Sequence, residues 1–505
     1  MNRTEEQDAI VDASKTGDSM VIEAGAGCGK TTVLKEVSRE APKYATLGYL
    51  AYNRAIAGDA KKSFPRNTTC ATAHSFAFRA VGVKYKGRLD APRVSAKATA
   101  SILGVNEGVA WGENSFGPVK LALLAMETVK KFCYSADEHI TTHHVPFVPG
   151  TEAFFPELAS IVAPYAAKAW EDLIREDNMG GKLRFQHDVY LKLWALSAPT
   201  LPFDTVLLDE AQDANPVIEG VVKNQDAQII MVGDSAQQIY AWRGAEDAMS
   251  RFNAPHRLTL SQSFRFGQAV ADEANKWLGL LNAPLRLKGF DQIKSEVVTT
   301  LDNPKATLCR TNASVVAEAL HAQQDQKRVA IVGGTGEIRA FAEAAQELMS
   351  GGTTYHPELI GFKTWSEVQQ YVKDEGGSDL KVFVNLIDTY SVQTVMDVAN
   401  KAVDEKYADV IVSTAHKAKG REWSSVKIGP DFREPINEDG TPAEPVRSEC
   451  MLAYVSVTRA MEQLYRGSLS WVDDYHKPVE KSIPRGIRVA RERRARLEKE
   501  QEAAS

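Results

Sequence analysis

Two short runs hold the side chains best suited to chemistry. In "AGAGCGKTT", Ala24 to Thr32, glycines at 25, 27 and 29 lead straight into Lys30, Thr31 and Thr32. Glycines so spaced let successive backbone N–H groups turn inward around an anion. A lysine beside them reaches terminal phosphates, and the hydroxyl after it is a hard oxygen ligand for Mg²⁺. Ala24, Gly25, Ala26, Gly27, Cys28 and Gly29 are therefore the expected phosphate cradle, although Ala24 stands where the general pattern has glycine. The second run, "FDTVLLDEAQDANPV", ends an apolar stretch in Asp209 and Glu210. Asp209 is suited to bind Mg²⁺ with Thr31, directly or through water, and Glu210 to orient and deprotonate an attacking water. Alone, such a pair reads as a solvated strand end. Beside Lys30 and Thr31 it reads as hydrolytic.

Pattern places both runs on regular secondary structure. "MVIEA" is a short apolar strand, the glycine turn comes next, and "KTTVLKEV" has helical apolar spacing. Val206–Leu208 is a second strand, with its carboxylates at the edge where an open α/β sheet places ligand groups. A third apolar run, Gln228–Val232, leads into "GDSAQQIYAWRGA", where Gln237, Tyr240, Trp242 and Arg243 crowd together just past the turn. Taken alone, the two aromatics are ordinary core residues.

Bulk composition limits the rest. At 505 residues the chain needs about three or four structural units. A net charge of −6 gives no global attraction to nucleic acid, so any phosphate track is a local stripe. The five cysteines are scattered and never spaced CxxC, which argues against both a disulfide framework and a zinc site. The polar run "MNRTEEQDAIVDASK" lacks a signal-peptide core, and no stretch has the length of apolar residues that a membrane helix needs. A cytoplasmic protein is expected, nuclear if eukaryotic, and neither secreted nor bound to a membrane.

From about residue 4 to 470 the chain resembles the UvrD/Rep-type superfamily 1A DNA helicases, closest in pattern to the helicase part of F-box DNA helicases and related phage helicases. The blocks occur in the family's order. "TEEQDAI" resembles the adenine-reading motif, with Gln7 on the base. The family's phosphate loop often begins with alanine, which accounts for Ala24. "LAYNRAIAGDA" and "TCATAHSFAF" resemble its two DNA-contacting blocks, which implies DNA contacts at Tyr52, Asn53, His74 and Phe76. "DEAQD" matches the Mg²⁺ and general-base block. In "GDSAQQIYAWRGA" the resemblance makes Gln237 a γ-phosphate sensor, Tyr240 and Trp242 a floor for stacked bases, and Arg243 a DNA contact. "LSQSFRF" supplies an arginine finger at Arg265. "STAHKAKGREW" places His416 and Lys417 on DNA and Glu422 near the ribose, and "MLAYVSVTRAMEQLY" supplies the second finger, Arg459. Departures from the pattern are Ala51, where Rep-like proteins carry a stacking phenylalanine; Cys450 and Met451, in place of a frequent arginine pair; and Arg421, where leucine is common.

The implied architecture is α/β: two RecA-like P-loop motor domains with helical insertions, one 1B-like and one a shortened 2B-like. Domain 1A is expected over 1–80 and 196–259, around a helical insertion at 81–195. Domain 2A is expected over 260–340 and 405–475, around a reduced insertion at 341–404. The tail 476–505 carries eight Lys and Arg between Lys481 and Lys499, and reads either as a phosphate-binding helix or as a solvated, frayed one.

The resemblance implies an ATP- and Mg²⁺-dependent monomeric motor on single-stranded DNA and ss/ds junctions. It would move 3′ to 5′, unwind duplex, and serve repair, recombination or replication alongside a single-stranded-DNA-binding or recombination protein. The alternatives are the same motor used to strip proteins such as recombinase filaments from DNA, and a nucleotide-gated DNA-binding protein without turnover.

Overall fold

In this computed structural model, described residues run from 3 to 476, apart from 93, 112–113, 149–150, 240–247, 353, 355, 357–358, 360–361, 363, 375–377 and 438–441. Contacts divide the chain into two units, Met1–Ala24 with Gly29–Leu260, and Gly25–Cys28 with Ser261–Ser505.

The first unit is built on six parallel strands: β1 (Met20–Ala24), β2 (Leu47–Leu50), β3 (Thr68–Ala71), β6 (Thr205–Asp209), β7 (Gln228–Gly233) and β8 (His256–Leu260). Their order is β3-β2-β6-β7-β1-β8. Strands β2 and β6 are buried along their whole length, as strands covered on both faces must be, which is why they read as unbroken apolar runs rather than alternating ones. Parallel pairing also sets every strand's C-terminal end on one edge of the sheet. That edge carries the starts of helices α2 (Lys30–Glu40), α3 (Arg54–Ser63) and α4 (Ala73–Ala80), which follow β1, β2 and β3. Helix α1 (Glu5–Ser14) precedes β1.

Between β3 and β6 the chain is largely helical, with long helices at Pro118–Tyr134 and Phe155–Leu173 and a shorter one at His187–Leu196. Leu121, Ala125, Leu158, Val162 and Val189 bury their faces in the first unit's core. The segment also holds an antiparallel hairpin, β4 (Val109–Trp111) and β5 (Asn114–Phe116). Sequence reading gave only helices here, since strands of three residues are too short for a period-two signal.

The second unit repeats the plan. Strands β9 (Glu296–Val298), β10 (Ala306–Cys309), β11 (Val329–Ile331), β12 (Val410–Thr414), β13 (Trp423–Ile428) and β14 (Ala460–Tyr465) form a parallel sheet in the order β11-β12-β10-β13-β14-β9. Helices at Gly336–Met349, Trp365–Asp374, Ser378–Tyr390 and Val392–Lys401 lie between β11 and β12 and pack around Phe341, Trp365 and Val395. Among the described residues, no helix is long and apolar enough to cross a membrane.

Candidate active site

Helices α1, α3 and α4 are each capped by a side chain, from Thr4, Asn53 and Thr72. Helix α2 is not. Its N-cap is Gly29 in the left-handed conformation (φ 80°), with no side-chain hydrogen bond to the first turn. A helix whose leading N–H groups have no side-chain acceptor is suited to receive an anion there, and its dipole favours negative charge. Gly27 is also left-handed (φ 74°), and a Cβ on it would meet the Arg265 Cβ at 2.6 Å, so only glycine fits. Residues Gly25–Cys28 make their bonds within the second unit. The Ala26 N–H donates to the Tyr454 hydroxyl (3.2 Å), Ser263 Oγ donates to the Ala26 carbonyl (2.9 Å), and the Phe264 N–H donates to the Gly27 carbonyl (2.9 Å). Ala24 is fully buried at the end of β1, and Thr32 is exposed on α2.

In the first unit, Lys30 Nζ lies 3.2 Å from Glu210 Oε1. Thr31 Oγ1 donates to Asp209 Oδ2 (3.2 Å), and so does the Tyr49 hydroxyl (2.5 Å), while the Glu210 N–H donates to Asp209 Oδ1 (2.9 Å). The four side chains from the two sequence runs thus meet at one sheet edge. Burial presses the Lys30 ammonium toward deprotonation, but Glu210, Asp234 and Asp209 outweigh it and hold its pKa above the ordinary value. Asp209 is pushed up, first by burial and then by the Glu210 charge, against the pull of Lys30 and Tyr49. Two close carboxylates with one raised are a pair that a divalent cation would relieve. The hard oxygens of Thr31 and Asp209, already within 3.2 Å, fit Mg²⁺.

Glu210 has left-handed backbone (φ 52°), costly for a residue with a Cβ at about 1–2 kcal/mol. Its carboxylate is gripped by Gln212, whose Nε2 donates to Oε2 at 2.6 Å. The amide oxygen of Gln212 accepts the Asp234 N–H (3.1 Å), and Asp234 Oδ2 accepts from Gln237 Nε2 (2.6 Å). A hydrogen-bond chain therefore runs from the expected base to the expected phosphate sensor. Tyr240, Trp242 and Arg243 lie outside the described residues, so their placement is a matter of sequence alone.

Gln7 is buried, and its Oε1 accepts the Thr4 N–H (3.1 Å) as half of a capping box on α1. Asn53 is engaged as the cap of α3. Tyr52 is exposed, and half-buried Phe76 packs edge-on against Phe203. Tyr52, Asn53 and His74 share a cavity of about 330 Å³ with Asp209, Glu210 and Asp213.

In the second unit Arg265 Nε donates to Glu422 Oε2 (2.6 Å), and Arg459 is buried with its guanidinium on the carbonyls of Val455 and Arg421 and on Thr458 Oγ1. His416 is mostly buried, and burial first, then Arg310, lowers its pKa. Lys417 lies 3.8 Å from Glu337. Sequence reasoning missed Tyr49, Gln212 and Arg310. Arg310 forks onto Glu449, with Nη2 to Oε1 at 2.9 Å.

Two parallel α/β sheets, the first bearing a helix start at Gly29 with a Lys–Glu and a Thr–Asp pair at its edge, define a RecA-like P-loop class. Comparison with known proteins narrows the class. A family profile described as "AAA domain" matches residues 7–243. The chain is 30% identical to F-box DNA helicase 1 of Gallus gallus over 91% of its own length and 48% of the relative's. It is 28% identical to F-box DNA helicase protein 1 of Schizosaccharomyces pombe, over 91% of this chain and 57% of that one. A probable DNA helicase II homolog of Mycoplasma genitalium matches at 29% over 20% of this chain and 16% of that protein. Over nearly its whole length the chain is similar to DNA helicases of the F-box kind. It spans about half the length of the two F-box relatives.

Proposed function

We propose that this chain is an ATP-dependent DNA helicase that translocates on single-stranded DNA in the 3′-to-5′ direction and couples hydrolysis to duplex unwinding. The observation that carries the reading is the meeting of Lys30 with Glu210 and of Thr31 with Asp209 at one sheet edge. Thr31 and Asp209 would hold Mg²⁺, which supplies charge neutralisation on the phosphates. The chain's own residues do the rest. Lys30 leaves Glu210 for the β- and γ-phosphates, so nucleotide binding frees the carboxylate to take a proton from water. Gln212 keeps Glu210 aimed while Gln237 reads the phosphate through Asp234. Arg265 and Arg459 act as the fingers, worth about 10³–10⁵ in rate in phosphoryl transfer. Gln7 serves the base, Glu422 the ribose, and the blocks around Tyr52, Asn53, His74, Phe76, His416 and Lys417 the strand. In this reading the two α/β units are the motor domains, and 81–195 and 341–404 are their insertions.

One second reading keeps the chemistry and changes the task to stripping proteins from DNA. It is favoured by the short segment between β11 and β12, where Rep-like relatives carry a far larger subdomain. The deciding experiment is the ATP hydrolysis rate with and without single-stranded DNA, with Glu210→Gln as control. A DNA-dependent rise absent from the variant supports the motor. Basal turnover with no response to DNA overturns it. Unwinding of a partial duplex set beside removal of a bound recombinase filament separates the two tasks.

A further inference from the structure

His74 is the second residue of α4, and its ring lines the cavity shared with Tyr52 and Asn53. Three side chains from the segment between β3 and β6 fix that ring. Asp188 Oδ1 sits 3.2 Å from His74 Nε2, and the Tyr134 hydroxyl donates to the other oxygen, Asp188 Oδ2, at 3.0 Å. Tyr190 stands edge-on to the imidazole, with ring centroids 6.0 Å apart at 84°. Asp188 and Tyr190 come from the helix His187–Leu196, and Tyr134 ends the helix Pro118–Tyr134.

A carboxylate at Nε2 has two consequences. It selects the tautomer protonated there, and it removes the ring's rotational freedom, so Nδ1 is the nitrogen left to meet a ligand in the cavity. A half-buried histidine without such a brace samples several rotamers and loses that entropy on each binding event. We propose that Asp188 is a positioning residue for strand binding: from the inserted segment it holds His74 so that Nδ1 faces a nucleotide of the single strand. This rests on the reading that the cavity belongs to the DNA track. It makes the inserted segment part of the grip on DNA, acting through a residue of the motor core.

The test measures the concentration of a single-stranded oligodeoxynucleotide that half-saturates both fluorescence-detected binding and ATPase stimulation, using the full chain. Asp188→Asn and His74→Ala are each expected to raise it by about tenfold, the loss of one well-aligned hydrogen bond to the strand, while the maximal stimulated rate changes far less. The double variant is expected to match His74→Ala alone, because Asp188 acts only through that ring. Tyr134→Phe, which deletes one hydroxyl and keeps the packing, is expected to give a smaller shift with the same dependence on His74. Asp188→Asn binding like wild type, or adding its full factor in the His74→Ala background, overturns the proposal. If the wild type binds no single strand, the helicase reading falls and takes this one with it. If the wild type binds and only Asp188 is silent, the helicase reading stands alone.

Discussion

The Tyr49 hydroxyl donates to Asp209 Oδ2 across 2.5 Å, from strand β2 to its neighbour β6. Register explains the reach: Tyr49 pairs with Leu207, so its long side chain extends two residues ahead to the carboxylate at the strand end. The ring also packs on Phe64, with centroids 4.6 Å apart. Tyr49→Phe keeps that packing and removes the donor. Loss of a buried, charge-assisted bond is expected to cost about 1.5–3 kcal/mol, measured by urea unfolding without nucleotide. With Asp209 less firmly aimed, the Mg²⁺ concentration for half-maximal nucleotide binding should rise. An unchanged melt and Mg²⁺ requirement would make Tyr49 a plain core aromatic.

Lys30 and Glu210 are each other's partner at 3.2 Å, so single substitutions should have unequal effects. Lys30→Ala leaves a half-buried carboxylate without its cation and removes the phosphate contact. Both ATP binding and turnover should be lost, at a stability cost of up to about 3–5 kcal/mol. Glu210→Gln retains the shape and the amide partner Gln212. It should bind nucleotide at near wild-type affinity and hydrolyse none. Filter binding alongside phosphate release distinguishes the two, and turnover by Glu210→Gln would remove Glu210 from the role of base.

What the sequence made legible follows from the range of the physics. The phosphate loop is local: its glycine conformations and the residues after them are set within nine positions, so the pattern carries its own meaning. The parallel sheets were legible because strands covered on both faces are unbroken apolar runs. Tyr49 was not, since a tyrosine within "LGYL" looks like any core aromatic until β2 and β6 are laid side by side. Nor was the fork between Arg310 and Glu449, whose partners lie on different elements far apart in the chain. The role of Gln7 as a helix cap was present in the spacing of Thr4 and Gln7, but the family resemblance drew attention to the base instead.

Acid should loosen the second unit through Asp473. Its carboxylate receives Arg466 Nη2 at 2.5 Å and Lys276 Nζ at 2.7 Å, and the Arg466 bond above all draws its pKa down to about 2. The folded value lies below the unfolded carboxylate value of about 3.9, so this stabilisation is complete above roughly pH 4. It is lost as pH falls toward the folded value. The melting temperature of wild type should exceed that of Asp473→Asn at neutral pH, and the gap should close through that acid window. A gap independent of pH would mean that the charge contributes nothing.

The strongest separation between ATP chemistry and DNA response is expected from Tyr240 and Trp242, whose roles rest on sequence alone. Gln237, three residues before Tyr240, is joined through Asp234 and Gln212 to Glu210. A base stacked on either ring, worth about 1–3 kcal/mol, would therefore act on the chain segment that carries the phosphate sensor. Tyr240→Ala and Trp242→Ala should leave the DNA-free hydrolysis rate close to wild type and cut the stimulated rate, because they would remove the proposed stacking surface and keep Gln237, Asp234, Gln212 and Glu210 in the sequence. Gln237→Ala breaks the chain itself and should lower both rates. Rates with and without single-stranded DNA for the three variants decide it. Equal loss of both rates in the aromatic variants would show the rings to be structural, and would leave the coupling of base position to hydrolysis to some other contact.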